Sequence, residues 1–111
     1  MPSYLFSFRA PTDYEPGGVS TAEWGGYFQG ISSHLEDLGN PIFSRETVGV
    51  TGAGTKLSGY SVITAETTEQ AIELASACPL IQIGGGIEVG EITPVSPETM
   101  QASSSAKSAI G

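Results

Sequence analysis

Two side chains in this sequence are suited to proton or thiol chemistry, and each occurs once: His34 and Cys78. A histidine acting as general base needs a carboxylate or carbonyl to set its tautomer. Glu36 and Asp37 are near in sequence but project to other sides of a helix. His34 therefore reads first as a half-exposed boundary residue and only second as a weak catalytic candidate, with Tyr60 in the same class. Cys78 falls at the C-terminal end of a helical pattern, whereas it is the N-terminal end that lowers a thiol pKa, so it reads as a small core residue. One histidine, one cysteine and scattered carboxylates give no metal-ligand spacing, and neither metal nor cofactor is expected. Residues 49–56 carry the glycines of a phosphate loop. A Walker motif, however, runs through Gly-Lys-Ser/Thr into a helix, and Lys56 leads into a strand, so a hairpin turn fits better.

The aromatic residues offer more. Tyr4, Phe6, Trp24, Tyr27 and Tyr60, together with Arg9 and Arg45, form a candidate ligand pocket, because small-molecule clefts combine aromatic walls with a few placed polar groups. Arg9, at the end of the first strand, has the fork geometry to hold a carboxylate or phenolate. The competing reading makes the aromatics ordinary core and the arginines ordinary surface.

These residues must be positioned by elements that the local pattern predicts. Tyr4-Leu5-Phe6-Ser7-Phe8 is short, aromatic and partly alternating, a first strand. Residues 11–18 form a loop broken by Pro11, Pro16, Gly17 and Gly18. Ser20-Thr21-Ala22-Glu23 is a capping box opening a helix whose stripe is Trp24, Phe28, Ile31, Leu35 and Leu38. Gly39 suits a left-handed cap for that helix and Pro41 prevents its continuation. Gly25, Gly26 and Gly30 each weaken it by about 1 kcal/mol relative to alanine, so packing must hold it. Residues 42–50 are a weaker second strand and residues 51–58 a hairpin loop. The run from Gly59 to Ala65 is the clearest strand. Thr67-Thr68-Glu69-Gln70 is a second capping box, with Ala71, Ile72, Leu74, Ala75 and Cys78 as the apolar side and Pro79 at the end. Gly84-Gly85-Gly86 is a turn. Residues 87–95 are the last strand, with a bulge at Gly90 suggested by a slip in apolar parity. Residues 96–111 are a Ser/Ala-rich tail.

The domain is thus residues 1–95 in the order β-α-β-β-α-β. This predicts an α+β, ferredoxin-like fold, a four-stranded antiparallel sheet with two helices on one face. Tyr4, Phe6, Phe8, Tyr60, Val62, Ile63, Ile87 and Val89 are many apolar strand residues for one covered face, so a second copy is expected to shield the other.

The chain of 111 residues suits one domain with one core. Twelve acidic residues oppose four basic ones, giving a net charge of −8. Nucleic acid and anionic membranes both require clustered Lys and Arg, and Arg9, Arg45, Lys56 and Lys107 are scattered, so neither is an expected partner. A single cysteine forms no intrachain disulfide. With neither a signal-peptide pattern nor a run of about 20 apolar residues, a cytoplasmic protein is expected.

The segment from Leu57 to Glu66 resembles the third strand of YCII-related (DGPF-containing) proteins. The resemblance continues through Thr68-Glu69-Gln70-Ala71-Ile72-Glu73-Leu74-Ala75, then Cys78-Pro79, then Gly85-Gly86-Ile87-Glu88-Val89. It covers residues 57–95 and extends less specifically back through Trp24 and Gly39-Asn40-Pro41. It implies a dimeric α/β barrel, two sheets packed face to face around a cleft. Most family members have no known activity; some bind small ligands, some sit beside sigma factors, and a few are lyase-like enzymes acting on small ring compounds. The enzyme-like branch carries a His–Asp pair, and by position its histidine falls here on Trp24, an indole with no titratable nitrogen near neutral pH. The DGPF loop reads Gly52-Ala53-Gly54-Thr55-Lys56. The leading expectation is a ligand-binding or accessory homodimer. Its rivals are a cofactor-free, lyase-like enzyme using Tyr60, Arg9 or His34, and a protein-interaction module using the acidic surface and the tail.

Overall fold

The computed structural model describes residues 1–95, so the tail expected at 96–111 lies outside it. In chain order the elements are β1 (Ser3–Pro11), α1 (Thr21–Gly30), β2 (Leu35–Pro41), β3 (Thr55–Thr64), α2 (Thr68–Ser76) and β4 (Gly86–Ile92). Short 3-10 turns at Ser32–His34 and Pro79–Ile83 come after the two helices. The strands form one sheet in the order β2-β3-β1-β4 with every neighbouring pair antiparallel, the ferredoxin-like arrangement.

Both helices cover one face of the sheet. Tyr4, Phe6, Phe8 and Ala10 of β1 alternate inward, and the register pairs Tyr4 with Ile63 and Phe6 with Ser61 on the same side. Tyr27 and Ile31 from α1 and the turn after it, Ala71 and Ala75 from α2, and Leu80 from the second 3-10 turn close this core. The buried Ser61 hydroxyl is satisfied by donating to the Leu38 carbonyl at 2.6 Å.

The division between faces is less even than the apolar content of the strands suggests. Tyr4, Phe6, Phe8, Ile63, Ile87 and Val89 all pack against the helix-side core. Tyr60 and Val62 lie opposite Ser7 and Leu5, on the other face, with Arg9, Leu57 and, on β4, Glu88 and Ile92. That face mixes Leu5, Leu57, Tyr60, Val62 and Ile92 with polar and charged residues, and no helix covers it.

Several boundaries differ from the sequence reading: β3 begins at Thr55, within the expected 51–58 loop, and β4 ends at Ile92, short of the expected 87–95 strand. The stripe of α1 runs only through Trp24, Phe28 and Ile31; Leu35 and Leu38, which extend the helical spacing, belong to β2. Residues 42–50, expected as a strand, are instead part of the connection between β2 and β3. The reason is long-range: His34 is tied to Thr64 through its ring, which delivers Leu35 opposite Ile63 and lets β3 capture the next residues as a strand. A glycine-weakened helix cannot compete with that pairing. Gly39 is left-handed as expected (φ +75), but at an irregular step of β2 rather than at a helix cap. A Cβ there would collide with the Tyr60 carbonyl, so only glycine fits.

No bulge forms at Gly90, because β1 and β4 stay in register from Ser3–Ile92 to Arg9–Gly86. The parity slip is real but means that Ile92 faces the other side of the sheet. The register shifts of the sheet lie elsewhere, between β1 and β3 at Phe8/Arg9 and between β2 and β3 at Leu35/Asp37 and Asp37/Asn40.

The Ser20 capping box closes as predicted, with both reciprocal bonds present. The second is half a box. Thr67 accepts from the Gln70 N–H, but the Gln70 side chain turns back to the Glu66 N–H at 2.7 Å. Cys78 sits just beyond α2 and is buried, while Ile72 faces solvent.

Candidate functional site

The β1–α1 loop, the start of α1, the end of β2 and the residues after it enclose a cavity of about 380 Å³. Its walls include Phe8, Tyr14, Trp24, Phe28 and Phe43. The capping box fixes where α1 begins, and four- and seven-residue steps from Trp24 turn Phe28 and Ile31 toward the sheet. Trp24 and Phe28 stack nearly parallel, 5.7 Å apart at 18°. Phe8 meets both edge-on, at 5.7 and 6.0 Å. The result is a rigid aromatic corner with one side open to the cavity. Phe43, from the connection after β2, is mostly exposed and stands at the rim.

The polar groups lining this cavity are uncharged: Tyr14, Thr21, Asn40, Ser58 and Tyr60. Among the described residues, no Asp, Glu, His, Lys, Arg or Cys lines it. Tyr14 is the best fixed of them. Its ring rests on Gly18, where a Cβ would come within 2.6 Å of it, and its hydroxyl accepts the Val19 N–H at 3.2 Å.

The seven pocket residues named from sequence are dispersed. Trp24 and Tyr60 line the cavity. Tyr60 borders it from β3, although strand alternation places it on the face of Ser7, and its hydroxyl accepts from Asn40 Nδ2 at 3.2 Å. Tyr4 and Phe6 are fully buried in the core, the Tyr4 hydroxyl pairing with Thr68 Oγ1 at 3.2 Å. Tyr27 is also buried and donates to the Leu74 carbonyl at 2.9 Å.

Both arginines hold backbone. Arg9, on the face away from the helices, donates to the Thr55 hydroxyl and carbonyl at 3.0 Å each. Arg45 donates to the Leu57 and Ile42 carbonyls at 2.8 and 3.2 Å, fastening the β2–β3 connection. Sequence reasoning missed Tyr14, Phe8, Phe28 and Phe43 as wall residues. The signal for Tyr14 was the aromatic ring placed just before the Gly17-Gly18 pair, where a ring can lie flat on bare backbone.

His34 and Cys78 lie elsewhere. The His34 ring is engaged with the Thr64 carbonyl, 2.9 Å from Nδ1. Burial pushes the Cys78 thiol up to about 11, against a smaller opposing effect of the Leu80 backbone, so it is a thiol rather than a thiolate near neutrality. Burial, with Cys78 nearby adding to it, also raises the Tyr27 phenol well above its usual range. Among the described residues no group of three or more His, Cys, Asp or Glu side chains is placed to hold a metal ion.

A second depression of about 500 Å³ lies between the helices, lined by residues including Glu23, Tyr27, Gly30, Glu73 and Gln82. It is more open to solvent and flanked by carboxylates, and it lacks the aromatic corner. No described helix is long and apolar enough to cross a membrane.

No family model and no curated protein matches the chain. Among solved structures, it is similar to 5-chloro-2-hydroxyhydroquinone dehydrochlorinase from Burkholderia phenoliruptrix, determined in complex with 2,5-dihydroxybenzoquinone. The TM-score is 0.51 over 86% of this chain and 96% of that one, at 14% identity. The likeness is one of fold: the same α+β sheet with helices on one side, in a protein whose structure holds a small ring compound.

Proposed function

We propose that this protein is a YCII-related homodimer that binds a small cyclic organic molecule in the aromatic cavity, without catalysing its conversion. The observation carrying this reading is the rigid corner of Phe8, Trp24 and Phe28 opening onto about 380 Å³ of mostly apolar space. Small-molecule clefts span roughly 300–1,000 Å³, and an apolar cavity of about 150 Å³ already accepts benzene. A single substituted ring is therefore the fitting size. The ring-bound dehydrochlorinase of similar fold supports the same choice.

Against catalysis stands the chemistry of the lining. A general base or nucleophile working near neutral pH is drawn mostly from His, Asp, Glu, Lys and Cys, and no described residue of these types borders the cavity. Pairing would bring together the uncovered sheet faces, burying Leu5, Leu57, Tyr60, Val62 and Ile92 of each copy.

Titration of the purified protein with single-ring compounds, monitored by the fluorescence of Trp24, the sole tryptophan, tests the site directly. Saturable quenching and a rise in Tm are expected, the latter obeying RT ln(1 + [L]/Kd). Ligands that raise Tm without touching Trp24 emission place the site elsewhere. Turnover of a bound ring compound rejects the non-catalytic reading, and a monomer at micromolar concentration by sedimentation rejects the dimer.

A further inference from the structure

From the same cavity, and resting on the reading above, we infer that its ligand is an uncharged ring bearing a hydrogen-bond-accepting oxygen, oriented by the Tyr14 hydroxyl. Tyr14 is held on three sides. Its backbone N–H donates to Pro11 O at 2.9 Å, its backbone carbonyl takes the Lys56 ammonium at 2.7 Å, and its ring lies against Gly18. The phenol oxygen accepts the Val19 N–H at 3.2 Å. An oxygen used in this way keeps its own hydrogen to give, and among the described residues no acceptor takes it. Tyr14 thus presents a hydroxyl donor on a well-held ring at the wall of a mostly apolar space, so little must be reordered when the ligand arrives.

The same wall selects against charge. Of the described basic residues none lines the cavity: Arg9 holds Thr55, Arg45 holds Leu57 and Ile42, and Lys56 holds the backbone of Tyr14. A carboxylate entering here would lose its hydration and meet no described basic side chain, on a chain of net charge −8. A ketone, quinone or ether oxygen needs only the one donor.

Three flat molecules of nearly equal shape distinguish donor from charge effects: acetophenone, α-methylstyrene and benzoate. Binding is read from the indole N–H signal of Trp24 in a proton–nitrogen spectrum, one peak for one tryptophan. Tyr14→Phe keeps the ring on Gly18 and removes the donor. The substitution is expected to weaken acetophenone about fivefold, the worth of one net hydrogen bond, while α-methylstyrene changes less than twofold. Benzoate is expected to bind at least about tenfold more weakly than acetophenone. In the wild type alone, the carbonyl stretch of bound acetophenone should fall below its value in an apolar solvent, which tests the bond without relying on the variant's folding. Equal effects of Tyr14→Phe on the ketone and the hydrocarbon, or an unshifted carbonyl, overturn the role of Tyr14 and leave the cavity intact. Benzoate binding as tightly as acetophenone overturns the preference for uncharged ligands. Silence of the Trp24 signal with all three overturns this inference and the cavity reading together.

Discussion

His34 and Thr64 grip each other's backbone: the imidazole Nδ1 lies 2.9 Å from the Thr64 carbonyl, and the Thr64 hydroxyl donates to the His34 carbonyl at 3.3 Å. A carbonyl only accepts, so Nδ1 carries the hydrogen. The pair pins the end of β3 to the turn that launches β2. His34→Ala is expected to lower stability by about 1–2 kcal/mol in urea unfolding and to leave ligand affinity at the aromatic cavity unchanged. Loss of binding in a folded His34→Ala protein would give the imidazole a functional role instead.

Gly39→Ala should be the most damaging single-methyl change in the sheet. The residue adopts φ +75, and the new Cβ would strike the Tyr60 carbonyl, which is backbone and cannot swing away. A loss of at least about 2 kcal/mol is expected. Amide exchange should rise at Asn40 and Ser61, on either side of the disturbed ladder. Unchanged stability would mean that the irregular step of β2 relaxes at no cost.

Trp24→Leu removes the outer plate of the aromatic corner while keeping the helix apolar. Its stack on Phe28 and its edge contact with Phe8 disappear, costing about 1–2 kcal/mol of stability. Ring ligands should weaken by about tenfold or more, measured by calorimetry because the fluorophore is gone. Retained affinity would move the binding site away from this corner.

Alkaline pH should loosen the fold in two stages. Both Cys78 and Tyr27 are acids whose folded pKa is raised by burial, so the unfolded chain gives up these protons first. Their contribution is complete below the unfolded values, 9.0 for the thiol and 10.0 for the phenol. As pH climbs from 9.0 toward about 11 the thiol's share is lost, and above 10.0 the phenol adds to the decline. Each group contributes a slope of at most about 1.4 kcal/mol per pH unit within its window. Cys78→Ala should flatten the first stage and Tyr27→Phe the second in urea midpoints measured from pH 8 to 11.

What could be seen in the sequence was what depends on near neighbours. The Ser20–Glu23 capping box, the alternation of Tyr4, Phe6 and Phe8, and the β-branched run before Ala65 are signals read within a few residues, and they place β1, the start of α1 and β3. The order of elements then implies the ferredoxin-like sheet. The end of α1 was hidden because Leu35 and Leu38 continue its spacing while their partners, Ile63 and the Ser61 hydroxyl, come from β3. Part of the cavity was equally hidden. Trp24 was legible as a wall, but the importance of Tyr14 depends on how Gly18 and Val19 meet its ring and hydroxyl, which no periodicity records. Arg9 and Arg45 looked like ligand clamps because a guanidinium's usual partner is an anion. Here unpaired carbonyls of the chain itself took that place.

The strand order has one more implication. Cutting the chain anywhere in residues 46–54 would separate β1 and β2 from β3 and β4, and the sheet runs β2-β3-β1-β4. All three ladders, β2 with β3, β3 with β1 and β1 with β4, therefore join a strand from one piece to a strand from the other. Neither piece holds two adjacent strands of its own. Co-expressed as separate polypeptides, the two halves should each be unfolded alone and should reassemble only with each other, which makes this small domain a natural split reporter.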